Sequence, residues 1–519
     1  MSEAADILRQ EAVDEAAAAP APLRDRVLTG AFFGPRHAAA AEPVAGFPYL
    51  DTGHALAVWF GPVTARRLAA DPVTYRAALD RDIAALDTLI GEQLDTILHH
   101  PRLRRIEGSW RGLAWLAGDL DPAGRAKVKV LNIPWAELCR DLERAVEFDQ
   151  SQLFRKVYEE EFGTPGGEPY GLLVIDHEVR HRPVPGAPTD DVTALMQLAG
   201  VAAAAFAPTV LAASPALLQV AEFADLAMSV DVSDPFRGPE FARWRSLSSR
   251  EDMRFIGVTL PRVLARPPWE DDPARADGFR YAEYAPSSDC RVWMSAAYAF
   301  AAVVARAFRN HAWPADVRGS AVDYVGGGLV TDLPIEPFRT DPDHVWVRPP
   351  LDLVLPDRME ASLVEAGLMP LSGLPYGEEA VFSAVRSLQA PANFIGSTAA
   401  AANANARLSA QLNSILCASR FAHYVKIIGR NMVGAFKTAD EIERELREWL
   451  SGYVNTNLTG GPETRARYPL VSANVSVRER PGRPGVFGCT VLLQPHFQLD
   501  DVSASFRLVT DITAPGVRT

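Results

Sequence analysis

Cysteine is scarce in this chain, with four residues in 519, and Cys139, Cys290, Cys417 and Cys489 are far apart with no CxxC pair. That spacing excludes a zinc-ribbon or thioredoxin-like centre and fits four buried, reduced thiols. Lysine is scarcer still for the length: Lys127, Lys129, Lys156, Lys426 and Lys437 are all there is, and the other basic side chains are arginine. Positive charge is in deficit overall, 52 Lys+Arg against 65 Asp+Glu, a balance of −13. A nucleic-acid role is excluded on that ground, because little would neutralise phosphates. No apolar run reaches the ~20 residues of a membrane span. The richest stretch, Val201–Ala213, is interrupted by Pro208, and Ala296–Phe308 contains Arg306. Glu3 and Asp6 stand where a signal peptide needs positive charge, so the chain reads as cytoplasmic, without direct membrane insertion.

Nucleotide and hydrolase signatures are missing too. Gly326-Gly327-Gly328 is not followed by Lys-Ser/Thr, no serine sits in G-x-S-x-G, and no G-x-G-x-x-G opens a helix after a strand. The residues define no cofactor site.

What is present is a folded composition, 48% hydrophobic and 23% charged. At ~150 residues per domain, the length suggests about two to four domains. Periodicity places a helix over Leu79–Leu98, ended by His99-His100-Pro101. Adjacent histidines on a helix do not converge on a metal, and imidazoles suit a helix C-terminus. Val128–Ile133, Leu172–Ile175 and Phe255–Leu260 read as strands, with Val345–Leu355 a weaker case. Trp135–Phe162, Thr189–Phe206 and Ala296–Phe308 read as helices.

The last third is the most legible. A helix is expected over Arg407–Gly429, and a second starts at the capping box Thr438-Ala439-Asp440-Glu441. The second buries Ile442, Leu446, Trp449 and Leu450 and turns Glu441, Arg444, Glu445 and Glu448 outward. Three strand-like runs follow, Val471–Val477, Phe487–Leu493 and Val502–Val509. Helices followed by antiparallel strands make an α+β unit.

His177-Glu178-Val179-Arg180-His181 matches the H-E-x-x-H zinc-protease pattern. That chemistry needs a helix, which sets the two imidazoles one turn apart. Here the motif continues a strand-like run and stops at Pro183. Along a strand the two histidines would lie roughly 13 Å apart, too far for one zinc. A solvated strand end is the preferred reading, and a zinc hydrolase is the alternative from another class.

Ordered blocks then carry a resemblance. Arg105-Ile106-Glu107-Gly108-Ser109-Trp110-Arg111-Gly112-Leu113 follows a Gln93–Leu98 segment. Further blocks are Asp149–Phe154, Val157-Tyr158, Gly166–Gly171, Ala207-Pro208, Trp244–Leu247 and Leu260–Leu264. Later ones are Trp313 with Arg318-Gly319, Gly327-Gly328 before Leu333-Pro334, Ser419–Lys426, Tyr468–Leu470, Pro484-Gly485 and Gln494–Leu499. Together they span roughly residues 77–510 and resemble the large sheath subunit of bacterial type VI secretion systems, the TssC/VipB/ImpC/EvpB family.

The resemblance implies an α+β, multi-layer contractile-sheath subunit with a C-terminal α+β domain like that of phage tail sheaths. It implies a structural protein rather than an enzyme, with no cofactor. The partners implied are a TssB/VipA-type small subunit, neighbouring copies of the chain, an Hcp-type inner tube, baseplate proteins and a ClpV-type AAA+ ATPase that recycles contracted sheath. The expected organisation is an N-terminal partner- and ATPase-contact region (1–76), a middle and outer region (77–400) and a C-terminal core (401–519). A segment near Ala4–Ala17, with Ile7, Leu8 and Val13 as apolar anchors, is either the ATPase handle or a tail.

By the same resemblance, strands carrying Val475, Val477, Val491, Leu493, Phe506 and Leu508 are expected to exchange between subunits, by main-chain pairing. Glu441, Glu445 and Glu448 are expected on a tube-facing helix. Trp110 and Arg111 suit internal packing or an interface anchor, with packing preferred. A sheath subunit of another contractile injection system is the nearest alternative.

Overall fold

The structure is a computed structural model that describes residues 49–512, apart from 121–123, 125, 165, 230, 321–323, 375–377, 396–398, 434–437, 458–460, 480–486 and 497–505. The chain divides into two units. The first contains α1 (Thr52–Phe60), α2 (Pro62–Ala69) and α3 (Pro72–Leu98), together with the returning segment 268–291. Prolines open α2 and α3, where the missing amide costs nothing. Phe60, Ala65, Leu68 and Ala78 form its small core. The α3 helix starts seven residues before its apolar periodicity does, and it ends at Leu98 with His99 as its cap. His99 Nε2 lies 3.1 Å from Glu283 Oε1, and the Tyr281 hydroxyl donates to Asp95 at 2.7 Å.

The second unit begins within α4 (Pro101–Gly118), a helix that sequence periodicity does not announce. Next is α5 (Trp135–Arg144), which stops at Ala145, whose ψ of 123° is extended. The expected Trp135–Phe162 helix is thus two pieces, the second closing with a π-helical stretch over Arg155–Phe162.

A parallel sheet organises this unit. It is built from β1 (Leu173–Val179), β2 (Thr209–Ala213) and β3 (Ile256–Leu260), with α6 (Asp191–Ala205) connecting the first two. A two-stranded ribbon, β4 (Val263–Arg266) and β5 (Val292–Met294), precedes α7 (Ala296–His311). The short β6 (Met369–Pro370) completes the order β1-β2-β3-β6. Successive strand residues face opposite layers. Leu211, Ile256, Val258 and Leu260 join α6 in one core, while Val210 and Met369 join α7 in another. Covering both faces is what a parallel sheet requires.

The C-terminal elements are α8 (Ala399–Ser409), α9 (Leu412–Val433), α10 (Ala439–Ser451) and α11 (Pro462–Arg467), then β7 (Leu470–Glu479), β8 (Phe487–Pro495) and β9 (Phe506–Ile512). The single helix expected over Arg407–Gly429 is thus divided at residues 410–411. The three strands form an antiparallel meander, with Val475 opposite Val491 and Val491 opposite Leu508. Ile442, Leu446 and Leu450 of α10 pack with Phe421 and Val425 of α9 on Val475, Val477, Cys489 and Val491. The molecule is a mixed α+β fold.

Candidate functional site

The H-E-x-x-H residues each serve a different neighbour. His177 is on β1, stacked on Trp135 at 4.1 Å with Nε2 3.1 Å from Asp191 Oδ2. Burial keeps this imidazole below its ordinary pKa despite Asp191. Burial works to raise Asp191, but hydrogen bonds from His177, Trp135 and Thr189 outweigh it and hold the carboxyl low. Glu178, on the opposite face, takes a bidentate pair from Arg262 at 2.6 and 2.9 Å. Burial alone would raise that carboxyl, yet Arg262 keeps it below the usual range. His181, past the strand end, is stacked on Phe241 at 4.1 Å. The segment is a strand and its continuation, so the helical geometry that zinc hydrolysis needs is not there. This motif organises packing, although burial of His177 and His181 replaces the solvated strand end expected from sequence.

The Arg105–Leu113 block is explained by close approach. A Cβ at Gly108 would meet the Trp293 carbonyl oxygen at 2.1 Å, and one at Gly112 the Tyr298 ring at 2.6 Å. Only glycine lets α4 lie this near β5 and α7. Glu107 locks the approach, accepting from Arg266 Nε at 2.6 Å and Arg111 Nε at 2.7 Å. Arg111 is therefore a partner of Glu107. Trp110 is 64% exposed, which corrects the expectation of internal packing: the two glycines turn α4 so that this indole faces outward. Ile106, one turn earlier, is 48% exposed and continues the apolar strip.

Other blocks interlock across long sequence separations. His423 Nε2 donates to the Ala205 carbonyl at 2.9 Å, and its ring meets Phe162 edge-on. Lys426 Nζ donates to the Tyr158 hydroxyl at 2.8 Å and sits 3.9 Å over the Phe162 ring. Trp313 Nε1 donates to Cys417 Sγ at 3.0 Å, and its ring is 4.1 Å from Phe421. Burial pushes the Cys139, Cys417 and Cys489 thiols up to about 12. Cys290 departs from the expectation of four buried thiols, being only partly buried.

The residues expected on inter-subunit strands all lie on the C-terminal sheet. Its order is β7-β8-β9, so Val491 and Leu493 sit on the central strand, with both ladders filled by their own chain. Strand exchange through β8 is excluded in this arrangement. Val475 and Val477 are on an outer strand, and β9, which carries Phe506 and Leu508, is the other. Apart from a parallel bridge between Leu470 and Val454 at the start of β7, no described strand pairs along either outer edge. The Val477 amide points out of the sheet and donates to Glu443 Oε2 at 3.0 Å. By the two-residue period, the Ala473 and Val475 amides face the same edge.

On α10, Glu441 closes the capping box, accepting from the Thr438 amide at 2.8 Å. Glu448 is exposed, and Glu445 is half-buried. Arg444 and Arg447 are exposed on the same helix, and Arg447 pairs with Glu443. The outer face is therefore mixed in charge rather than simply acidic. Ile7, Leu8 and Val13 lie outside the described residues. Among the described residues, no helix is long and apolar enough to cross a membrane.

Comparison with known proteins agrees with this architecture. The family model EvpB/VC_A0108, tail sheath N-terminal domain, matches residues 80–389. The model of the EvpB/VC_A0108 tail sheath gpW/gp25-like domain matches residues 401–512. The type VI secretion system sheath protein TssC1 of Pseudomonas aeruginosa is 37% identical over 440 residues, covering 84% of this chain and 86% of that protein. The chain therefore belongs to the EvpB/VC_A0108 family of type VI secretion tail sheath proteins.

Proposed function

We propose that this chain is the large structural subunit of a contractile sheath and carries out no catalysis. It pairs with a TssB-type small subunit in the cytoplasm, and the pairs polymerise around an Hcp-type tube on a baseplate. Contraction is a switch between two packings of the same subunit interfaces, and it drives the tube outward. A ClpV-type ATPase recycles the contracted form. The division at residues 76 and 400 into contact region, middle region and core belongs to the same proposal.

The observation that carries this reading is the C-terminal meander within a tail sheath family match, whose outer strands β7 and β9 have no further described strand beside them. Main-chain donors and acceptors along such an edge accept an added strand from a neighbour. Exposed Trp110 and Ile106 supply an apolar anchor elsewhere on the chain. Glu448 and Glu445 of α10 contribute to the tube-facing surface. Co-expression with the small subunit followed by electron microscopy tests the proposal. Tubules support it, whereas a stable lone monomer that never assembles refutes it.

A further inference from the structure

The strand expected over Val128–Ile133 finds no sheet within this chain. Residues 126–134 contain no helix, turn or bend, and they pair with no described strand. Among the described residues, no amide or carbonyl of residues 126–133 makes a backbone–backbone hydrogen bond. The sequence nevertheless alternates as a strand does, Lys127-Val128-Lys129-Val130, and continues into Leu131-Asn132-Ile133.

The stretch is held against the body of the chain by one face. Lys127 pairs with Glu168 and Lys129 with Glu161, and Lys129 Nζ lies 5.5 Å from the centre of the Tyr170 ring. Ile133 and then Trp135, which opens α5, pack on the core around α6. By the two-residue period of a strand, Lys127, Lys129 and Ile133 share this inner face. Val128 and Val130 share the other and are 44% and 61% exposed, while Leu131 is 51% exposed. Water serves the open amides and carbonyls of the lone chain, but the exposed apolar side chains gain only when something covers them. One kind of partner does both at once: an added β-strand, which fills the main-chain groups and lays its own side chains beside the valines.

We propose that residues 127–132 accept a strand from a different chain, the small subunit of the sheath. The identity of the donor rests on the sheath reading. A second copy of the same segment fits poorly. In any register that keeps the valines on one face, it brings its own Lys127 and Lys129 onto the face that already carries these two, and like charges across a ladder repel. The donor strand is therefore apolar on the face it shares with Val128 and Val130, and free of lysine and arginine on the other.

Hydrogen exchange and proline substitution in the full chain test this. In the lone chain the amides of residues 127–132 exchange as unprotected peptide does, and in the complex with the small subunit alternate amides slow by about tenfold or more. Val130→Pro and Leu131→Pro remove amides that point to opposite edges. Each lone variant melts within about 2 °C of wild type. One of the two lowers capture of the small subunit by about tenfold, whereas Val130→Thr, which keeps the amide and the β-branch, retains most of it. The proposal is overturned if these amides exchange equally fast alone and in the complex, or if both proline variants capture the small subunit as wild type does; the sheath reading stands in either case, because the pair still forms. It is also overturned if the lone chain already protects these amides, since its own main chain or a second copy then supplies the strand. A loss of more than about 5 °C in either lone variant has the same force, because the segment then serves the fold. A wild-type chain that captures no small subunit refutes the sheath reading, and the donor named here falls with it.

Discussion

Replacing Gly108 by alanine is the sharpest perturbation of the α4 contact. The added Cβ would stand 2.1 Å from the Trp293 carbonyl oxygen and 3.1 Å from its carbon. Ordinary contact for such atoms is about 3.5 Å, so the helix must withdraw by roughly 1 Å. A backbone carbonyl in the β4–β5 ribbon cannot rotate away as a side chain can. Overpacking of this kind costs about 1–3 kcal/mol, and the rigid obstacle puts this case at the upper end. Alanine returns up to about 1 kcal/mol of helix propensity. The net loss for Gly108→Ala is therefore about 2 kcal/mol.

Gly118 provides the control on the same helix: it is exposed, and a Cβ there meets nothing within 4 Å. Gly118→Ala gains up to about 1 kcal/mol through propensity alone. Urea unfolding of the purified chain, followed by tryptophan fluorescence, compares the two. The midpoint moves down for Gly108→Ala and stays or rises for Gly118→Ala. A Gly108→Ala midpoint equal to or above that of wild type would refute the close-approach argument.

Acid sensitivity follows from His423, whose pKa burial lowers to about 4. The unfolded chain takes up this proton near pH 6.5, so stability is full above that pH and falls between about 6.5 and 4, by about 2 kcal/mol at pH 5. Melting at pH 7 and pH 5 checks this: wild type loses stability, and His423→Gln loses less of it, keeping the part due to His177, His181 and His496, which shift the same way. Equal melting of wild type at the two pH values contradicts it. Ala473→Pro removes an outward amide from β7 while sparing the ladder to β8, so the isolated chain melts within a few degrees of wild type and co-expressed tubules disappear. Trp110→Ala leaves urea stability within about 0.5 kcal/mol and reduces co-purification of the small subunit at least tenfold; a stability loss without a binding loss would place Trp110 in the fold.

The sequence made the C-terminal part readable because local signals there agree with the fold. The Thr438–Glu441 capping box opens α10 as expected, and the alternation through Val471–Val477 marks β7. The α4 helix was not readable, since Gly108 and Gly112 lower helix propensity and their need arises only from Trp293 and Tyr298 far along the chain. The β2 strand was hidden inside Val201–Ala213, where an apolar run continues from a buried helix into a fully buried strand. Phe206, with φ of 50°, makes the turn that periodicity cannot reveal. The resemblance blocks include His423 and Lys426, but their pairings with Ala205 and Tyr158 join segments more than 200 residues apart, which no local pattern reports. Sequence also gave no sign of which strand would lie at the centre of the meander, and that order decides which edges can accept a partner.

The most direct measurement is a helical reconstruction, by electron microscopy, of tubules formed with the small subunit. The account predicts that an outer edge of the C-terminal sheet, β7 along Ala473–Val477 or β9, carries an added strand from another chain. Tubules in which this sheet remains three-stranded, or a failure of the pair to form tubules, would contradict it.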